Sequence, residues 1–246
     1  MPSVYLSPST QEYNPTVGGG TEEYYMNLIA DAMEPYLAAS GVSFTRNTPD
    51  MTAMSSVAQS NQGNYDLHLA LHSNASPENL RGSQSGADIY YYAPSARGKQ
   101  AADIIAKNYK EIYPNPEKVR ALPNRTFAEL RRTKAPAVLA ELVYHDNTTD
   151  MNWLKNNIPL IARNLSQSVA EFLGVPFVEP KASTQGIVVT QGGRLNIRDK
   201  PSMQGKIIGQ IPNGSAVVIR GKEGNWYAIT YNNINGYTFA DYIVVR

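Results

Sequence analysis

The apolar residues change period once along this chain, near Gly174, and that change limits the fold more than any other feature. Before it, short apolar runs alternate with longer stretches of helical spacing. Residues 4–6, 42–45, 67–72, 87–92 and 137–142 read as strands, and residues 21–39, 95–113 and 152–173 read as helices. Strands alternating with helices predict an α/β sheet covered on both faces. After it come only short β runs (GIVV, GKIIGQI, SAVVIRG, WYAITY, GYTF, YIVV) broken by NG, GG and EGN. Runs of that length and spacing predict a small all-β barrel or roll. Between the two lies GVPFVEPKASTQG, with two prolines and no periodicity, which reads as a linker. The expected division is a first domain over residues 1–174, a linker over 175–186 and a second domain over 187–246.

Bulk properties remove several classes of function. Hydrophobic residues make up 42% of the 246, enough for a packed core. Lys and Arg number 22 against 21 Asp and Glu, a net charge of +1, which gives no basis for nucleic acid as a partner. No apolar run reaches the length of a membrane span. The opening MPSVYLSPS lacks the basic and apolar regions of a signal peptide, so export by another route or a trimmed signal is expected for an extracellular role. With no cysteine, a metal would have to sit on imidazole, carboxylate or amide groups.

Three polar residues stand out against the apolar strands. In DLHLALHSNA (residues 66–75), Leu67, Leu69 and Leu71 alternate with His68, Ala70 and His72, so two of the three histidines share one face. Ligands of α/β sheets gather at the carboxyl ends of strands, which is where His72 falls. His68 lies about 13 Å earlier along the strand, too far to share a metal ion, and reads as a hydrogen-bonded histidine under the helix layer. In KAPAVLAELVYHDN the apolar run closes on Glu141, a carboxylate expensive to bury unless it is paired, solvated or used. Glu22 heads the first helix at a spacing to Tyr25, Ile29 and Met33 that places it near the buried face. Its alternative role is that of a first-turn acid complementing the helix dipole, the role assigned to Glu23.

In order along the chain, VYLSPSTQ, TEEYYMNLIA, LALHSNA, GADIYYY and APAVLAELVYHDN resemble the zinc-dependent N-acetylmuramoyl-L-alanine amidases of the amidase type 3 family. The resemblance implies a twisted mixed sheet flanked by helices, and zinc as cofactor. It implies Glu22 and His72 as the second and third zinc ligands and Glu141 as the catalytic acid/base. The family's first ligand is a histidine in DPGHGG, where this chain reads SPSTQEYN. Gln11 is the best positional candidate for that place, with Thr10 and His145 as rivals; two protein ligands alone, or no metal, stay open.

The stretch from Gly192 to Val245 resembles a bacterial SH3 domain, through LNIRDKPS, GNWYAI and GYTFADYI in order. Its Trp226, Tyr227, Tyr237 and Tyr242 are either core aromatics or, on one face with Arg198, a peptide groove. Together the two resemblances imply a peptidoglycan hydrolase that cuts between N-acetylmuramic acid and L-alanine, with a wall-binding tail. An autolysin and a phage lysin fit equally. The alternative is a wall-binding protein that has lost its zinc. Another metallopeptidase is disfavoured, because no HExxH occurs.

Overall fold

Strand β1 (Ser3–Pro8) is buried along nearly its whole length, which requires cover on both faces. A computed structural model describing residues 1–180 and 184–246 shows how that cover is built, in two compact units that divide after Pro180. In the first unit β1 is followed by α1 (Glu22–Ala39), β2 (Ser43–Arg46), α2 (Ala53–Ser60), β3 (Leu67–Asn74), β4 (Ala87–Tyr92) and α3 (Ala96–Tyr109). Then come β5 (Val119–Asn124), α4 (Ala128–Arg131), β6 (Ala137–Tyr144) and α5 (Thr148–Leu173). The sheet order is β2-β1-β3-β6-β4-β5. All neighbours pair in parallel except β4 and β6, so the sheet is mixed.

The alternation in β3 sorts the chemistry between the two faces. Leu67, Leu69 and Leu71 join Val4, Leu6, Val138 and Ala140 in the large core beneath α1, α3 and α5. The opposite face carries a smaller cluster of Ala70, Leu130, Ala137 and Leu139, with Tyr90, Tyr92 and Phe127 packed against it. The short α4 packs on this second face, with α2 against it.

Helix α1 begins after three consecutive glycines, Gly18, Gly19 and Gly20, with φ of 77°, 89° and 85°. A run of left-handed residues is open only to glycine, and it turns the chain back so that Pro15 bridges Thr21. Thr21 then caps the helix by accepting from the Tyr24 amide, and Glu22 occupies its first position. The buried stripe of α1 is Glu22, Met26, Ile29, Met33 and Leu37, at helical spacing. Glu22 is thus carried inward by the same face that anchors the helix.

Helices α2 and α4 and strand β5 were not legible in the sequence. The eight residues of α2, AMSSVAQS, bury Ser56, Val57 and Ser60, too little apolar material for a periodic signal. Helix α4 has four residues. Strand β5 contains Pro123 and lies at the sheet edge, where proline is tolerated. Helix α5 begins at Thr148 rather than at residue 152, capped by the side chain of Asn147.

Part of the expected linker is packed structure. Phe177 stacks on Tyr36, Arg163 lies over the Phe177 ring and the Val178 amide donates to Ser40. Residues 181–183 of that linker lie outside the described residues, and β7 (Thr184–Val188) starts directly after them. The second unit continues with β8 (Leu195–Arg198), β9 (Ile207–Ile211), β10 (Ala216–Glu223), β11 (Trp226–Tyr231), β12 (Ile234–Phe239) and β13 (Ile243–Val245). They form an antiparallel sheet in the order β13-β7-β10-β11-β12-β8-β9. Its core is aliphatic, including Val188, Ile197, Ile211, Ile219 and Ile229. The β11–β12 hairpin turns on Asn232 and Asn233, both at positive φ, which matches the right-handed twist of the strands.

Candidate functional site

One row of side chains crosses four strands of the sheet. His72 on β3 is in register with Glu141 on β6, Glu141 with Asp88 on β4, and Asp88 with Arg120 on β5. Register partners project from the same face at about 4.8 Å spacing. Four ionisable groups therefore stand side by side on one face of the sheet.

Glu141 is the fifth residue of an eight-residue strand rather than its last, because β6 continues to Tyr144. Its Oε2 is enclosed and has no hydrogen-bond partner. Burial pushes the carboxyl up to about 7, and Glu22, Asp88 and Glu129 reinforce the shift while His72 opposes it. A carboxyl poised near neutrality is suited to taking and giving a proton. Asp88, buried beside it, is tied to Arg120 at 2.7 Å and 2.9 Å and contacts the Tyr144 hydroxyl at 3.4 Å.

His72 is held from both sides. Its Nδ1 is 2.8 Å from Glu22 Oε1 and its Nε2 is 3.2 Å from Glu129 Oε2. Burial disfavours a charged ring, but the bonds to Glu129 and Glu22 outweigh it and hold the imidazole pKa well above its usual value. The same contact works in reverse on Glu22. Burial there would favour the neutral acid, whereas His72 and Asn14 hold it below the usual carboxylate range. The Asn14 amide donates to Glu22 Oε2 at 2.8 Å and to Gln11 Oε1 at 3.0 Å. Gln11 Nε2 approaches His72 Nδ1 at 3.4 Å.

The structure thus brings Gln11, Glu22 and His72 together around Nδ1 of His72, with Glu141 next in the row. Thr10 lines the cavity beside them. His145 does turn back towards the crevice. Its Nδ1 donates to the Ser73 carbonyl at 2.9 Å and stands 3.9 Å from Glu22 Oε2. His68 is fully buried, bonded to Ser60 at 3.0 Å and to Glu129 at 3.3 Å, and stacked on Tyr5.

Glu129, Asp88, Arg120 and Asn14 escaped the sequence reading. Asp88 had a signal: a lone acid in ADIYYY, as Glu141 is in its own strand. Glu129 had none, because α4 is too short to show a buried face.

As a metal centre the donor set is mixed. Among the described residues, no three of His, Cys, Asp and Glu form a metal-binding group. Of the groups beside Nδ1 of His72, the Gln11 amide can offer a third protein donor through its oxygen, which a half-turn of the amide would bring to the place Nε2 now occupies. One imidazole nitrogen, one carboxylate and one amide oxygen, beside the unpartnered Oε2 of Glu141, fit a zinc ion, with the amide as the weakest donor.

A cavity of about 450 Å³ opens beside this cluster, with Ser7, Gln11, Asn47, Thr52, His72 and Glu129 among its lining residues. The second unit has its own groove of about 700 Å³, where Trp226, Phe239 and Tyr242 meet Arg194, Arg198 and Asp241. Trp226 is buried and packs edge-on against Phe239, while Tyr242 is exposed. Tyr227 lies instead under Lys222, and Tyr237 bonds Glu223.

Residues 5–171 match the family model for N-acetylmuramoyl-L-alanine amidase, and residues 193–244 match that for the bacterial SH3 domain. Among solved structures, the amidase AmiC2 of Nostoc punctiforme is 18% identical with a TM-score of 0.61, covering 70% of this chain and 97% of that one. The catalytic domain of the CD27L endolysin targeting Clostridia difficile is 20% identical with a TM-score of 0.57, over 70% of this chain and 98% of that one. Cwp6 from Clostridium difficile is 26% identical with a TM-score of 0.59, over 70% of this chain and 29% of that one. Bacteriocin BCN5 of Clostridium perfringens is 32% identical over 72 residues, which is 29% of this chain but 8% of the bacteriocin. A match over more than half of its length, on a mixed sheet with the fold of these enzymes, places the chain in the N-acetylmuramoyl-L-alanine amidase family, with a bacterial SH3 domain following the amidase domain.

Proposed function

We propose that the protein is a peptidoglycan hydrolase that cleaves the amide between N-acetylmuramic acid and L-alanine, acting outside the cell or in the wall. The observation that carries this reading is the row His72–Glu141, in which a carboxyl poised near neutrality adjoins a carboxylate-bound imidazole. His72 through Nδ1, Glu22 and Gln11 would hold zinc, which when bound supplies Lewis acidity to the scissile carbonyl and to the attacking water. Glu141 takes a proton from that water and delivers it to the departing L-alanine nitrogen. Bond making at the carbonyl carbon and bond breaking to nitrogen then leave a lactyl carboxylate and a free amine. Asn14 keeps Glu22 in place by donating to it. Arg120 neutralises Asp88, so a second free carboxylate does not compete in the row.

The SH3 domain holds the enzyme on the wall through the groove of Trp226, Phe239 and Tyr242. Its arginines, Arg194 and Arg198, suit an extended peptide that carries carboxylates. No described helix is long and apolar enough to cross a membrane.

A second reading, a wall-binding protein without catalysis, draws on one observation: the amide of Gln11 stands beside His72 where the family has histidine, and among the described residues no three of His, Cys, Asp and Glu form a metal-binding group. Metal content separates the two readings. Protein refolded with zinc is expected to retain about one ion per chain and to release L-alanine from N-acetylmuramoyl-L-alanine. His72→Ala should lose the ion, whereas His68→Ala should lose stability and keep it. A folded parent with neither zinc nor hydrolysis would establish the binding protein.

A further inference from the structure

His68 and His72 are too far apart along β3 to share a metal ion, yet they share a carboxylate. Glu129 Oε1 lies 3.3 Å from His68 Nε2, and Glu129 Oε2 lies 3.2 Å from His72 Nε2. Oε1 also accepts from the Ser7 hydroxyl at 2.5 Å. All three partners are buried, and Glu129 itself is 4% exposed. An isolated carboxylate at that depth would be strongly penalised; this one persists because every bond it receives comes from a donor.

Donor counting assigns the protons. An ionised carboxylate only accepts, so Nε2 of both rings must carry hydrogen. The second nitrogen of His68 faces the Ser60 hydroxyl at 3.0 Å, which completes that ring. For His72 the same count holds at both nitrogens. Nε2 donates to Glu129, and Nδ1, 2.8 Å from the ionised Glu22, also carries hydrogen in the metal-free ring. Nδ1 is therefore the position a metal would take in exchange for a proton, beside Glu22 and Gln11. Rotating the ring by a half-turn would put carbons where both nitrogens now sit and forfeit both bonds.

The carboxylate is itself held firmly. The Asn124 side chain closes the turn that leads into α4 by accepting from the amides of Thr126 and Phe127 at 2.7 Å and 2.9 Å. Phe127 packs edge-on against Tyr90, and Leu130 is buried on the sheet with Ala70 and Leu139. These contacts clamp a four-residue helix that could not persist alone.

We infer that Glu129 is a positioning residue of the active site, which bridges His68 and His72, takes the Nε2–H of each ring and so keeps Nδ1 of His72 directed at Glu22 and Gln11. His68 in turn orients Glu129, which explains why two histidines occupy one face of β3. The role in metal binding rests on the zinc reading above; the proton assignment does not. Carboxylate partners of metal-bound histidines typically contribute about 10–100-fold in metal affinity.

The test uses the full chain. Ring nitrogen NMR on the zinc-free parent should show hydrogen on Nε2 of both His68 and His72, and Glu129→Gln should shift both Nε2–H signals together. Chelator competition should show zinc affinity about 10–100-fold weaker in Glu129→Gln, with the fold retained. Glu129→Asp, which keeps the charge, should recover part of that loss and takes the place of the Gln variant if the latter does not fold. A bare Nε2 on His72, or parent zinc affinity in a folded Glu129→Gln, would overturn the inference. If the parent itself takes up no zinc, the metal reading fails, and the Nε2 signals still decide whether Glu129 sets the His72 ring.

Discussion

At the scale of single residues, the site places burial and charge in opposition. Glu141 is partly buried, with one oxygen enclosed and unpartnered, and its carboxyl is displaced upward to about 7 from 4.5. The fold therefore favours its protonated form. The stability contributed by this group is complete below 4.5 and disappears as pH rises through about 7. Glu141→Gln imitates the protonated form at every pH. Zinc-free Glu141→Gln is thus expected to be more stable than zinc-free parent at pH 8, by on the order of 1–3 kcal/mol, with the difference shrinking towards pH 5. Thermal melts across that range measure it, and a variant that melts below the parent at pH 8 would contradict the burial account. A gain in stability on removing a working group is the usual mark of an active site. The signal for Glu141 was present in the sequence, as a charge inside an apolar run, and so was that for His72. Glu129 was not legible, because its burial arises from contacts between segments far apart in the chain rather than from local pattern.

At the scale of elements, α5 is tied to the sheet through Asp150 in its first turn. The carboxylate accepts from the amides of Gly86 at 3.1 Å and Tyr144 at 2.8 Å, and from the Tyr113 hydroxyl at 2.5 Å. It thereby fixes the end of β6, three residues beyond Glu141, and the start of β4. Removing it strands two buried amides and a hydroxyl. Asp150→Ala is expected to cost on the order of 3 kcal/mol or more, read by denaturant unfolding of the amidase domain. A cost below about 1 kcal/mol would show that the joint is held by other contacts. Five strands and three helices of the amidase domain were legible because each has enough residues to display its period. The start of α5 was not: the sequence reading placed it at residue 152, whereas Asn147 caps it at Thr148. Capping by Asn147 depends on one side chain, and the first turn is buried through the polar Asp150 rather than through an apolar stripe.

At the scale of the whole molecule, the two domains call for separate assays. Residues 1–180 should still hydrolyse soluble muropeptides and sediment poorly with whole walls, while the SH3 domain should sediment without hydrolysing them. A tether keeps the catalyst concentrated near its substrate without new contacts. Within the full chain, Tyr242→Ala and Arg198→Ala should weaken wall binding severalfold and leave muropeptide hydrolysis unchanged, since both residues line the groove of the second unit. Equal sedimentation of residues 1–180 and the full chain would remove this role from the tail. The change of period near Gly174 led to an expected linker over 175–186, and the two compact units divide after Pro180. The packing of residues 175–180 against the first unit was not legible, because Phe177 and Val178 engage Tyr36 and Ser40 one at a time without repeating. The central claim, that the row beginning His72–Glu141 performs amide hydrolysis, is tested most directly by counting new L-alanine amino termini released from purified walls. The parent should release them steadily, and Glu141→Gln, bound to the walls equally well, should release them at least 10²–10⁴-fold more slowly, roughly the share general acid–base catalysis supplies. Equal release by the two proteins, or none by the parent, would contradict it.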